Sequence, residues 1–282
     1  MWKQKIGISI GTKKNTMPFD ELFTMVKKTG FDAVSPSWFP DVDIESIINT
    51  ARECGLEVEA VHGPYRGAAA LWSRDESLST PPKEELIKAL EDCARCKVAI
   101  MVTHVWIGFG DNGYDENNLY FDNYDEIVAT AERLGVKLAL ENTEGEEYLG
   151  ALMERYKDNP WVGYCWDSGH EMCYNHSNDL LGKYGDQLIL THINDNLGIS
   201  RYDGETYWTD DIHLLPYDGI ADWDKNVERL RASKRVEILN FEVNRASKGG
   251  RHDNDLYNAM PREVFFAEAY KRACRIAYKY SM

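Results

Sequence analysis

The chain has 282 residues, with 47 Asp and Glu against 32 Lys and Arg and a net charge of −15 at pH 7. That balance argues against a protein whose affinity rests on neutralising phosphates. With 43% hydrophobic and 28% charged residues, disordered and fibrous classes are excluded too, and the length suits one domain with a sizeable core.

The first residues, Met1-Trp2-Lys3-Gln4-Lys5-Ile6, lack an apolar run behind a basic start, so neither a signal peptide nor a membrane anchor is expected. No stretch approaches the ~20 apolar residues of a membrane span. The six cysteines are scattered along the chain, which fits reduced thiols and a cytoplasmic location. Cys93 and Cys96 form a C-x-x-C inside a helical pattern with no second pair, and packing is the expected role.

In chain order, strands are predicted at Lys5–Ile10, Asp32–Ser37, Leu56–His62, Val98–Val105, Val136–Glu141, Val162–Asp167, Leu188–His192 and Val236–Glu242. Helical spacing fills the intervals, as in Phe19, Leu22, Phe23 and Val26, or Ile44, Ile47, Ile48 and Ala51. Gly30, Gly55 and Gly135 follow periodic stretches where left-handed caps are needed, while Pro18 and Pro81 suit first turns. Several strands are apolar on both faces, as a parallel sheet covered by helices requires. Eight such units predict an α/β, single-domain (β/α)8 TIM barrel. An open doubly wound sheet is the alternative, but no dinucleotide-binding entry marks the start of the chain.

Two motif matches are set aside. Residues 108–113 satisfy G-x-G-x-x-G, yet no amphipathic helix follows and Asp111, Asp115 and Glu116 would repel a pyrophosphate. His170-Glu171 begins like H-E-x-x-H, but the next histidine, His176, is too distant for one helix face.

Polar residues close most of the predicted strands: His62, His104, Glu141, Asp167, His192 and Glu242. In a closed barrel these ends converge on one rim, where such barrels carry their chemistry. Three buried carboxylates would repel one another, and a divalent cation is the simplest neutraliser. Nitrogen and oxygen ligands suit Zn, Mn, Co or Mg without choosing among them.

Leu140-Glu141-Asn142, Trp166-Asp167-Ser168-Gly169-His170, Thr191-His192-Ile193-Asn194-Asp195 and Asn240-Phe241-Glu242 resemble motifs of the xylose-isomerase-like TIM-barrel superfamily. The likeness is to its sugar-phosphate isomerase/epimerase group, and residues 211–216 and 219–223 extend it. The resemblance implies Glu141, Asp167, His192 and Glu242 as ligands of one divalent metal ion, with Glu141 and Glu242 also the catalytic acid/base pair. It implies substrate contacts from His170, with His62, Trp106 and Arg201 as further candidates. The group's epimerases usually carry an arginine shortly after the seventh-strand histidine, and here the first candidate, Arg201, comes later. A homo-oligomer is implied by resemblance alone.

A second reading comes from the apurinic-site endonucleases of the same superfamily, which bind three zinc ions through nine residues. Counterparts are His62, His104, Glu141, Asp167, His170, His192, Asp211, His213 and Glu242, so His62, His104, His170, Asp211 and His213 are further candidate metal ligands. Three Zn²⁺ against four carboxylates leave a positive site suited to a phosphodiester; one divalent cation against three carboxylates leaves a negative one suited to a neutral polyol. The predicted loops favour the latter: residues 193–222 hold seven acidic residues against one arginine. A DNA backbone would be repelled there. The expected function is therefore a metal-dependent isomerase or epimerase acting on a sugar, sugar phosphate or cyclic polyol, with no nucleic-acid or membrane partner. Lys13, Lys14, Arg201, Arg245, Lys248 or Arg251 could hold a phosphate. A dehydratase and a non-catalytic sugar-binding barrel stay as alternatives, although a binder needs no acid/base pair. Trp38, Phe39, Tyr65, Trp72, Trp106, Phe109 and Trp208 fall at or beyond strand ends, where they could cover a sugar ring or cap the core.

Overall fold

The computed structural model describes residues 4–13, 16–108, 114–201 and 207–282. Lys14, Phe109 and the rest of the Gly108–Gly113 match beyond Gly108 lie outside the described residues.

Lys5–Ile10 forms β1. Helix α1, Phe19–Thr29, buries Leu22, Phe23 and Val26 and stops at Gly30. There φ is +123° and a Cβ would lie 2.5 Å from the Tyr270 ring, so only glycine fits. After β2, Ala33–Pro36, α2 spans Ile44–Glu53, its first turn capped by Asp43 accepting from Ser46 N at 3.0 Å. The strand predicted over Leu56–His62 divides into β3, Glu57–Val58, and β4, Ala60–His62, with Glu59 between them.

Helix α3 spans Glu76–Arg95. Pro81 is therefore an interior residue and not a first-turn one: Asp75 accepts from Ser77 N at 2.9 Å and starts the helix earlier. Pro81 and Pro82 bring no N–H to that turn, which goes without two backbone bonds. Cys93 and Cys96 are buried at the end of α3, and all six cysteines are free.

Then follow β5, Ile100–His104; α4, Asp122–Leu134; β6, Lys137–Glu141; α5, Glu146–Arg155; β7, Val162–Asp167; and the short α6, Ser168–Cys173. Next come α7, Leu180–Tyr184; β8, Leu188–His192; α8, Trp223–Ala232; β9, Ile238–Phe241; α9, Asp255–Ala259; and α10, Arg262–Ser281. Short helical segments lie in several of the intervals that follow strands, and Glu242 lies one residue beyond its strand.

All strand pairings are parallel, in the orders β3-β2-β1-β9 and β4-β5-β6-β7-β8. Bridges Ser37 to His62 and Ile193 to Phe241 join the two sets. Counting β3 and β4 as one interrupted strand, this is the eight-stranded α/β barrel that the alternation predicts. Ala60, Val102, Ala139, Cys165 and Leu190 form a separate small apolar cluster. Each lies two residues before a strand-end His, Glu or Asp, so strand alternation puts that cluster one layer beneath the polar rim.

Candidate metal centre

Strand register delivers the rim residues in adjacent pairs. His104 lies opposite Glu141 across β5 and β6, and Asp167 opposite His192 across β7 and β8. Donor atoms of Glu141, Asp167, His192 and Glu242 all lie within 4.8 Å of one another, as do those of Asp167, His170 and His213, and of His62, Glu141 and His192. All nine rim residues named from the sequence come together.

Distances define three neighbourhoods. His192 Nδ1 lies 2.8 Å from Glu141 Oε1 and 2.6 Å from Glu242 Oε2. One ring proton cannot serve both carboxylates fully. On one side, Glu141 Oε2 lies 3.3 Å from His62 Nε2 and 3.2 Å from His104 Nε2. On the other, Asp211 Oδ1 lies 3.4 Å from His170 Nε2 and 2.5 Å from His213 Nε2. Glu141 Oε2, Glu242 Oε2 and Asp211 Oδ1 are nonetheless buried without a hydrogen-bond partner.

Backbone groups orient the rings. Nδ1 of His62, His170 and His213 each pairs at 2.9 Å with a main-chain carbonyl, of Gly63, Asn142 and Glu242 respectively. Such a bond makes Nδ1 the donor and turns Nε2 inward, the orientation metal-ligating histidines require. Asp167 is held equally firmly: it accepts from His170 N at 2.7 Å and from Asn194 Nδ2 at 3.0 and 3.1 Å, while Asn142 Oδ1 accepts from Asp167 N at 2.8 Å. Gly169 permits that packing, because a Cβ there would sit 1.9 Å from Asn194 Oδ1.

The electrostatics follow from burial and crowding. Burial opposes ionisation of Glu141 and Glu242, but the surrounding histidines, His192 foremost, outweigh it and hold Glu141 well below the usual carboxylate range and Glu242 at about 2. Asp167 is pushed up, by burial first and then by repulsion from Glu141 and Glu242. Burial works against protonated His170 and His213, yet Asp211 and Asp167 raise them to about 10 and about 9. His104 is lowered by burial. Neither Glu141, Asp167 nor Glu242 pairs with a lysine or arginine among the described residues. Buried carboxylates without a fixed cation, with orphaned oxygens facing histidine nitrogens, fit a divalent metal ion.

The surroundings form an aromatic wall. The Tyr65 ring lies 5.8 Å from His62 and 5.0 Å from His104, and the Tyr174 ring 5.1 Å from His170. Trp106 stacks on Tyr148 at 4.2 Å. Gly145, with φ +70°, lets the next loop approach, since its Cβ would fall 2.8 Å from the indole. Trp106 is thus a wall between two loops. Arg201 is exposed and lies 4.3 Å from the Tyr207 ring. Lys248 bonds Asp211 at 2.9 Å and Arg251 bonds Asp210 at 2.7 Å, so these two of the six candidate phosphate holders already face carboxylates. Glu171 leaves the site altogether and pairs with Arg229 at 2.8 Å.

Sequence reasoning gave no role to Asn142, Asn194 or Tyr174. Asn142 and Asn194 stand directly beside or two residues beyond rim residues, a signal visible in the motifs, whereas Tyr174 reaches His170 only through the fold of α6.

Residues 23–263 match the family model described as xylose isomerase-like TIM barrel. The chain is 30% identical over 262 residues to the uncharacterized protein y4fM of Sinorhizobium fredii (strain NBRC 101917 / NGR234), covering 78% of this chain and 79% of that protein. It is similar to the crystal structure of the IOLI protein with a zinc atom, at 17% identity and a TM-score of 0.73, covering 97% of this chain and 98% of that one. It is also similar to D-psicose 3-epimerase with D-tagatose from Clostridium cellulolyticum H10, at 16% identity and a TM-score of 0.72, covering 98% and 99% of the two chains. At such identities the likeness establishes the fold.

Proposed function

The chain belongs to the xylose isomerase-like TIM barrel family, related to ketose epimerases and AP endonuclease family 2, and from that premise we propose that it is a divalent-metal-dependent isomerase or epimerase of a sugar, sugar phosphate or cyclic polyol. The observation that carries this reading is the convergence of two carboxylates, buried Glu141 and half-buried Glu242, on one nitrogen of His192, at 2.8 and 2.6 Å. Glu141, Asp167, His192 and Glu242 would hold the ion. A divalent cation there supplies Lewis acidity to a carbonyl and its neighbouring hydroxyl.

The chain's own residues do the proton work. Glu141 and Glu242 both stand ionised at neutral pH, the state a base requires. One takes the proton from the carbon beside the carbonyl, and the other returns one at the opposite face or the adjacent carbon. His170 and His62 flank the pair and orient hydroxyls, and Tyr65, Tyr174 and Trp106 line the approach and exclude water. Glu141→Gln and Glu242→Gln should each lower exchange of the substrate's α-proton with D2O, followed by NMR, by about 100-fold or more. Exchange at the parent rate in both variants would reject the assignment.

One observation favours a second reading. His62 and His104 face Glu141, and His170, Asp211 and His213 adjoin Asp167, so donors for two further ions flank the first site. Three zinc ions would suit phosphodiester hydrolysis, and the acidic rim is the counterargument. Cleavage of an abasic-site duplex at physiological salt separates the two.

A further inference from the structure

His192 is oriented unlike its neighbours. His62, His170 and His213 each tie Nδ1 to a backbone carbonyl and point Nε2 inward, whereas His192 points Nδ1 at Glu141 and Glu242 and sends Nε2 away from them. His192 is wholly buried, and its Nε2 completes no hydrogen bond. If Nδ1 gives its lone pair to a cation, the single remaining ring proton must sit on Nε2, and a buried N–H requires an acceptor.

The ring stands over the barrel interior, where neighbouring backbone carbonyls are committed to the sheet. Cys165 faces the same interior one layer down on the adjacent strand, paired in register with Leu190, two residues before His192. Ala60, Val102, Ala139 and Leu190 of that layer carry no polar side-chain atom, and Asn240, two residues before Glu242, is engaged elsewhere, accepting from Ser35 Oγ at 3.4 Å and donating to Ser9 Oγ at 2.9 Å. Cys165 is itself fully buried, on the strand whose Asp167 pairs in register with His192.

We propose that Cys165 is a positioning residue: its sulfur accepts the Nε2 proton of His192, selects the tautomer that frees Nδ1, and holds the ring toward the carboxylates. This rests on the reading of His192 as a metal ligand. A sulfur here takes the place of the carboxylate or carbonyl that more often supports such a histidine. It brings no charge into the barrel interior, where an additional buried carboxylate would be costly. The sulfur is a weak acceptor, and the support lies in geometry more than bond strength.

The test is binding of Mn²⁺ and of Zn²⁺, each alone, to the full chain by calorimetry, beside ¹⁵N NMR of the histidine ring protons in the zinc-loaded protein. Cys165→Ala should weaken binding about 10-fold or more and expose the His192 Nε2 proton to faster exchange. Cys165→Ser, which restores an acceptor, should recover both. If the alanine variant fails to fold, Cys165→Val fills the volume without accepting a hydrogen bond and takes its place against serine. Parent affinity and an unmoved ring-proton signal in the alanine or valine variant would overturn the proposal alone. Failure of the parent chain to bind either ion would overturn the metal-centre reading and this inference with it.

Discussion

Glu59 sits in the gap between β3 and β4, and its Oε2 is buried without a hydrogen-bond partner. The cation nearest in kind, Lys5, is already bonded to Glu57 at 2.8 Å and Glu237 at 2.7 Å. Burial first, and then repulsion from Glu237, push the Glu59 carboxyl up from 4.5 to about 8. A carboxyl whose folded pKa exceeds its unfolded one favours the folded state at low pH. That advantage is complete below the unfolded value and is lost as pH rises through about 8. Glu59→Gln should therefore raise the melting temperature more at pH 8 than at pH 5. An equal change at both pH values would show that Glu59 does not carry this dependence. Six of the rim residues, His62, His104, Glu141, Asp167, His192 and Glu242, were legible because each interrupts an apolar pattern at or beside a strand end, whereas His170, Asp211 and His213 were legible only through the family resemblance. The Asn194 grip on Asp167 was not, because it joins loops that only the barrel brings together.

At the scale of elements, the long segment after β8 is organised by one side chain. Asp195, wholly buried, accepts from Asn196 N, Tyr217 N, Ala221 N and Trp223 Nε1 at 2.9 to 3.0 Å. Gly219 makes room for it, since a Cβ there would meet Asp195 Oδ1 at 2.1 Å. This hub carries the chain from His192 past Asp211 and His213 into α8. Asp195→Ala leaves those donors without their common acceptor and should cost about 2–4 kcal/mol of unfolding free energy, read from urea midpoints. A loss under about 0.5 kcal/mol, the range of ordinary surface changes, would show that the segment is held by other contacts. Strand and helix alternation was readable from apolar period alone. The early start of α3 was obscured by Pro81, which reads as a first-turn residue although Asp75 starts the helix, and no local pattern announces the break at Glu59.

For the whole molecule, the parallel strands align their carboxyl ends and thereby concentrate acid at one mouth. Charged side chains at that rim are largely spent within the protein: Lys13 on Asp41, Lys248 on Asp211, and Arg251 on Asp210 and Asp253. Such a mouth attracts cations and repels a polyphosphate backbone. Among the described residues no helix is long and apolar enough to cross a membrane. Protein–proton balance links the mouth to pH as well. His170, at about 10, and His213, at about 9, hold protons at neutral pH, so a cation that takes those nitrogens must release them and would bind more weakly as pH falls. The central claim is a single catalytic cation held by Glu141, Asp167, His192 and Glu242, and metal analysis of protein purified without chelator tests it most directly. One divalent ion per chain, lost on Asp167→Ala, is the predicted result; three zinc ions per chain, or none, would contradict it.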